Sequence, residues 1–212
     1  IDSYIRYNIR VNLDTKITKS MKLGTQSFFT VSDYSGVSPD LGTVLQLPPV
    51  LAPYDENGEM IKQPYKWFNN PLHAKDIDDL NKRYNLFANF YLDIDFPFLK
   101  GLNYRLNFSQ NLIEGKEYKF DEWGSNFTGS ASKINSSSYN YTVDNILTYK
   151  NTFGKHAVNA TFVYGLEKRQ YESTTAGATN FTNLALGYNK LDAGQADLQT
   201  AKSSAWEESS LY

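Results

Sequence analysis

Alternation of apolar and polar side chains, sustained over whole strand lengths, is the feature that most constrains how this sequence can fold. Residues 4–18 read YIRYNIRVNLDTKIT, and every second side chain from Ile5 to Leu13 is apolar. The polar side chains between and beyond them are Arg6, Asn8, Arg10, Asn12, Asp14 and Lys16. A period of two residues places the two sets on opposite faces of a β-strand. Such a strand needs an apolar environment on one side and water on the other.

The alternation returns in five further segments, and the connections between them alternate in length. We predict six long strands, paired as three hairpins at about residues 3–36, 82–120 and 137–172. The links within the hairpins are short, whereas long connections occupy about 37–81, 121–136 and 173–212. Soluble β-sandwiches lack this asymmetry, but transmembrane barrels have short periplasmic turns and long extracellular loops. The pattern therefore predicts an all-β fold, an antiparallel transmembrane β-barrel segment.

The alternative is a soluble two-layer sheet whose polar face meets solvent, and one strand alone does not separate the two. Six strands do not close a membrane barrel, because the smallest has about eight. We therefore interpret residues 1–212 as one partial barrel domain, an internal piece that begins at Ile1 and ends in EESSLY. The remaining strands and any plug domain are expected outside this chain.

Composition argues against several other classes of protein. The net charge of −2 gives no reason to expect a nucleic-acid partner, and the absence of cysteine excludes disulfides and thiolate sites. The carboxylates Asp76, Asp78 and Asp79 cluster without the spacing of a calcium-binding loop. His73 and His156 lie in no catalytic motif. We expect no enzyme activity, no catalytic residues, no metal site and no cofactor.

The long predicted loops carry aromatic rings next to asparagines. Flat rings beside amides could stack on sugar rings or grip a peptide or a lid protein. Loops that simply pack on one another would have the same composition. The candidate ligand-binding or lid-binding residues are Tyr54, Tyr65, Trp67, Phe68, Asn69, Asn70, Trp123, Asn126 and Trp206.

Several segments resemble one protein family in order and spacing. YNIRVNLDTKITKSMKLGTQSFF resembles the N-x-D-x-x-[IL]-[ST]-K-x-[LM]-K-x-G hairpin of SusC/RagA-family TonB-dependent outer-membrane transporters of Bacteroidetes. LPPVLAPYDENGEMI, NNPLHAKD, YGLEKRQYES and SAWEESSLY are similar to later segments of the same barrels. Ser20 departs from the family, where many members carry a large aromatic residue. The resemblance implies a multi-pass barrel of about 22 strands in the bacterial outer membrane.

The resemblance also implies TonB-dependent import of a large nutrient, most often an oligosaccharide and sometimes a peptide. In that scheme a SusD-like lipoprotein closes over the loops, and TonB acts through a plug region outside this segment. Outer-membrane lipid surrounds the wall. A soluble surface glycan-binding β-protein would share the loop aromatics but need no lipid-compatible face on each strand. A passive porin would share the wall but lack plug and lid.

Four arginines on the polar faces of the predicted strands would then line the lumen. Long cationic side chains that face a plugged lumen need polar partners, so these residues could contact the plug. Simple hydration of the lumen charge is the alternative. The four residues are Arg6, Arg10, Arg83 and Arg105.

Overall fold

The computed structural model describes residues 3–212, and its strands form one antiparallel sheet of seven. Their order in the sheet is their order in the sequence. They are β1 Ile5–Thr18, β2 Met21–Asp33, β3 Asp78–Asp95, β4 Leu102–Asp121, β5 Ser130–Phe153, β6 His156–Thr179 and β7 Thr200–Leu211. The predicted all-β, antiparallel fold is confirmed.

The register keeps the two faces of the sheet chemically separate. Residues directly opposite each other on paired strands share a face. One row of the outer face runs Leu13, Thr25, Phe90, Phe108, Val143, Leu166 and Leu211. The adjacent row of the inner face runs Asn12, Gln26, Asn89, Ser109, Thr142, Glu167 and Ser210. Leu13 is 60% exposed, so the outer face offers its apolar side chains to a surrounding medium.

Short and long connections lie at opposite ends of the sheet. Two-residue links join β1 to β2 and β5 to β6, and residues 96–101 join β3 to β4. At the other end are loop 1 (34–77), loop 2 (122–129) and loop 3 (180–199). Loop 1 contains helix α1 Leu41–Gln46 and the 3-10 helix Pro71–Asp76. Loop 2 contains the helical segment Gly124–Phe127, and loop 3 contains the 3-10 helices Gly187–Asn189, Leu191–Ala193 and Ala196–Leu198.

The buried apolar cluster lies at the loop end and not between layers of sheet. It consists of Phe120, Ala131, Ala178 and Phe181. Phe120 and Phe181 meet edge to face with their ring centroids 5.5 Å apart. Leu184, Tyr188 and Leu191 of loop 3 pack against the cluster. Loop 3 is thereby fixed to the ends of β4, β5 and β6. Between residues 3 and 212, no helix has the length and apolar character needed to cross a membrane.

Two predicted boundaries differ from the structure. The stretch 173–212, expected as one external loop, contains the end of β6 and all of β7, which puts Trp206 on a strand. Loop 2 is shorter than the predicted 121–136, because β5 already begins at Ser130. The sequences TAKSSAWEESSL and SASKINSSS have no apolar face. Backbone hydrogen bonds between strands do not depend on side-chain type, so these segments pair in the sheet without alternation.

Candidate binding site in the external loops

Loop 1 folds around a cleft of about 390 Å3 at the loop end of the sheet. Trp67, Phe68, Asn69 and Asn70, four of the predicted binding residues, line it together. Trp67 is 72% exposed, and its ring centroid lies 5.7 Å from that of Phe68. A flat, accessible ring beside the exposed amide of Asn69 can bind a ligand through stacking and hydrogen bonds.

Asn70 positions the residues around it. It is only 3% exposed. Its side-chain amide donates to the carbonyl oxygens of Pro53 at 2.8 Å and Ile61 at 3.0 Å, and its Oδ1 accepts from the Leu72 N–H at 3.1 Å. The last bond caps the 3-10 helix, whose first residue is Pro71. Asn70 therefore joins three parts of loop 1 and leaves Asn69 and Trp67 free for a ligand.

His73 links loop 1 to loop 2. Its Nε2 lies 2.7 Å from Asp121 Oδ1, and its ring stacks on Trp123 with centroids 3.8 Å apart and planes 2° from parallel. The same Asp121 Oδ1 accepts from the Trp123 N–H at 2.9 Å. His73 is 6% exposed. One face of the Trp123 ring is therefore covered by His73. The ring lies next to the cleft, which His73 and Asp121 line.

The N-terminus of α1 forms another side of the cleft. Asp40 caps this helix, because its carboxylate accepts from the Gly42 N–H at 3.1 Å and from the Thr43 N–H at 3.0 Å. The Thr43 hydroxyl donates to the same carboxylate at 2.7 Å. The Thr43 hydroxyl, followed by the two backbone N–H groups, lowers the pKa of Asp40. The carboxylate stays ionised and gives this side a fixed negative charge.

The other loop 1 aromatics are held by lysines. Lys75 Nζ donates to the Tyr54 hydroxyl at 3.2 Å and lies 5.7 Å from the centre of its ring. The hydrogen bond to Tyr54 raises the pKa of Lys75. Lys66 Nζ lies 4.9 Å from the Tyr65 ring centre and 5.7 Å from that of Trp67. These contacts fix the rings at the rim of loop 1.

Loop 2 places Asn126 in a left-handed turn. Ser125, Asn126 and Phe127 have φ angles of 52°, 58° and 66°. The turn is tied to loop 3, since the Ser125 hydroxyl donates to Asn180 Oδ1 at 3.0 Å and the Phe181 N–H donates to the Thr128 carbonyl at 2.8 Å. Phe127 also contacts loop 1 through Lys62 Nζ, 5.0 Å from its ring centre. The three loops therefore form one interlocked surface.

Trp206 lies apart from this surface, on the inner face of β7. It pairs with Tyr171 of β6, and their rings stack with centroids 6.1 Å apart. The predicted lumen arginines also lie on the inner face. Arg105 forms an ion pair with Asp93 of the neighbouring strand, with Nη1 3.3 Å from Oδ2. Its guanidinium lies 4.2 Å from the Tyr91 ring centre. Within residues 3–212, Arg6, Arg10 and Arg83 have no carboxylate within 4.0 Å.

Sequence reasoning missed His73, Asp121 and Asp40 as parts of the cleft. His73 and Asp121 are 48 residues apart in the sequence, and no short motif predicts that they pair. The Asn-Pro pair at 70 and 71 is a helix-start signal that could have placed His73 one turn further on. Nowhere in the described part of the chain do three His, Asp or Glu side chains gather to hold a metal ion.

Comparison with known proteins finds one receptor of similar sequence and solved transporter structures of similar fold. No family model matches the chain. The chain is 26% identical over 217 residues to TonB-dependent receptor P3 of Formosa agariphila. The alignment covers 92% of this chain and 21% of that receptor. The fold of this chain is similar to that in the structure of the RagAB peptide transporter, with a TM-score of 0.79, 18% identity, and coverage of 98% of this chain and 25% of that one. The RagAB peptide importer in its closed-closed state gives a TM-score of 0.71 at 20% identity, again over 98% of this chain and 25% of that one.

The chain is thus similar in sequence to a TonB-dependent receptor and similar in fold to the RagAB peptide transporter. Both comparisons agree with the resemblance seen in the sequence, and the similar fold of the solved structures confirms the predicted all-β antiparallel fold. The similar proteins are receptors and transporters and not enzymes, in agreement with the prediction. The chain spans about a fifth of the length of the curated receptor.

Proposed function

We propose that this chain supplies wall and external loops to a TonB-dependent importer of a large nutrient, which a SusD-like lipoprotein covers from outside. The observation that carries the proposal is the interlocked loop surface with the Trp67 cleft at one end of a sheet that has one apolar and one polar face. A ligand held there lies at the mouth of the lumen. TonB would act through a plug region beyond these residues.

An oligosaccharide is the first candidate for the nutrient. The ring of Trp67, 72% exposed, offers the flat apolar surface on which a sugar ring stacks, and the Asn69 amide offers donors and an acceptor for its hydroxyls. Asp40, which also lines the cleft, adds a charged acceptor. Import of a peptide is the second candidate, favoured by the solved structures of similar fold, which are described as a peptide transporter and importer.

The inner face supports contact with a plug. Thr30 Oγ1, Asn85 Oδ1 and Asn111 Oδ1 are buried without a hydrogen-bond partner among residues 3–212. Thr30 and Asn85 pair directly, and Asn111 lies in the next row, which also contains Arg10. Buried polar atoms without a partner are costly unless another segment satisfies them, and the exposed guanidinium of Arg10 is available as a donor to such a segment. We expect the plug to contact this patch through Arg10 and, nearer the end of β1, through Arg6.

Trp67→Ala in the full-length receptor tests the loop site. We expect ligand affinity to fall about tenfold or more, because a stacked ring contributes a large part of such binding. Copurification of the lid lipoprotein in detergent and uptake by whole cells test the rest of the proposal. The control for Trp67→Ala is Leu45→Ala, a change of an 85% exposed apolar residue on α1 that does not line the cleft. A receptor that purifies without a lipoprotein and takes up no oligosaccharide or peptide would refute import.

A further inference from the structure

A second cavity lies on the inner face of the sheet, away from the loop cleft. Its volume is about 410 Å3, and inner-face side chains line it, among them Tyr34, Arg83, Glu117, Ser138 and Tyr171. Its floor includes a row of the register formed by Arg83, Gly115 and Ser136. Because Gly115 has no side chain, the floor stays open at this position. A Cβ there would come within 2.5 Å of Ser136 Oγ.

Two opposite charges in this cavity lack partners. Arg83 and Glu117 are both exposed, and neither makes an ion pair or hydrogen bond with any residue from 3 to 212. Lys82, which also lines the cavity, is paired with Asp33 at 3.2 Å, and Arg105 further along β4 is paired with Asp93 at 3.3 Å. Of the three charged residues that line the cavity, Arg83 and Glu117 are thus the two that have no partner among residues 3–212.

The register holds the two charges apart. Arg83 pairs with Gly115, and Glu117 is two residues further along β4 on the same face. Such diagonal neighbours have Cα atoms about 7–8 Å apart. Alternate residues of an extended peptide are spaced by about 6.8 Å. A peptide that lies along the wall can thus place one charged side chain opposite each partner.

We propose that this cavity binds an extended peptide segment that carries a carboxylate and an ammonium group on alternate residues, the carboxylate at Arg83 and the ammonium at Glu117. The guanidinium accepts the carboxylate in a two-point geometry, and Glu117 accepts the ammonium. The Tyr34 and Tyr171 rings flank the segment. The inference rests on the proposed import, because the ligand must enter the lumen. A neutral oligosaccharide would use neither charge, and a uronic acid would use only Arg83.

Binding by the full-length receptor, purified with its plug, tests this site. The probes are blocked ten-residue peptides with a central Glu-Ala-Lys or Lys-Ala-Glu, and analogues with Gln in place of Glu or of Lys, measured by calorimetry. Arg83→Gln should weaken binding of the peptides that contain Glu about tenfold to a hundredfold. It should leave binding of the analogue in which Gln replaces Glu unchanged. Glu117→Gln should weaken the peptides that contain Lys about tenfold to a hundredfold and leave unchanged the analogue in which Gln replaces Lys.

Lys119→Gln is the matched control, because it removes an exposed charge from the same face of β4 two residues beyond Glu117 and outside the cavity. Equal losses for charged and neutral peptides, or no loss, would overturn the proposal. So would a receptor that binds oligogalacturonate through Arg83 but none of the peptides. Either result is compatible with continued uptake and a bound lipoprotein, so failure of this site is distinct from failure of import.

Discussion

Asn70 holds loop 1 together through one buried amide, and its loss should loosen the whole loop. Asn70→Ala leaves the Ile61 carbonyl and the Leu72 N–H without their side-chain partner, and it leaves the Pro53 carbonyl with only the Ile61 N–H at 3.1 Å. Buried groups left unpaired cost about 1–3 kcal/mol. We expect hydrogen exchange in loop 1 to become about tenfold to a hundredfold faster, measured by mass spectrometry on the receptor in detergent.

Asn69→Ala is the control for that measurement, because Asn69 is exposed and accepts only a 3.3 Å bond from Gln63. Its exchange should match that of the wild type. The pair also shows what the sequence left open. Composition identified both asparagines as candidates, but only the fold reveals that one amide faces inward. Equal exchange in the two variants would contradict the positioning role of Asn70.

Asp40 should make α1 sensitive to acid. Its folded pKa is lowered below the ordinary value of 3.8, first by the Thr43 hydroxyl and then by backbone N–H groups. The cap therefore contributes stability above pH 3.8, and this contribution is lost as the pH falls through the lower folded pKa. Exchange at α1, corrected for the intrinsic pH dependence, should accelerate below that range. Asp40→Asn keeps an N-cap that does not titrate, so its corrected exchange should not change there.

Loop 2 depends on a conformation that suits few residue types. Asn126 has φ 58° and ψ 46°, where asparagine is tolerated and a β-branched side chain is strained. Asn126→Val should therefore destabilise the turn by about 1–2 kcal/mol, whereas Asn126→Gly should be accommodated. Because loop 2 is tied to loop 3 through Asn180, exchange should rise in both loops for the valine variant. If the two variants behave alike, the left-handed turn is not what maintains the link.

Strands were predictable where lipid imposes two faces, and less so beyond it. The segment 84–94 alternates clearly, and β3 was found from the sequence alone. β7 was missed, although it pairs with β6 from Gly177 to Leu166. Its backbone hydrogen bonds carry no signature in side-chain type. The link from His73 to Asp121 was equally hidden, because it depends on how loop 1 crosses the ends of the strands.

The two faces of the whole sheet lead to opposite expectations for neighbouring residues. Leu13 belongs to a row that crosses all seven strands and is apolar on six of them, and Asn12 belongs to the polar row beside it. Both are exposed in the isolated sheet, so exposure alone does not distinguish them. In a membrane they differ, because a lysine on the lipid face of a barrel costs about 2–4 kcal/mol near the bilayer midplane and a lumen lysine is hydrated.

Leu13→Lys in the full-length receptor should therefore reduce the amount of folded barrel in the outer membrane, whereas Asn12→Lys should leave it near the wild-type level. The measurement is the heat-dependent shift of the receptor on electrophoresis after membrane fractionation, quantified against total receptor. Because the substitutions introduce the same side chain at adjacent positions, a general effect of added charge cannot produce the difference. A larger loss from Asn12→Lys would mean that the faces are assigned the wrong way round, and with them the lumen position of Arg83 and Glu117.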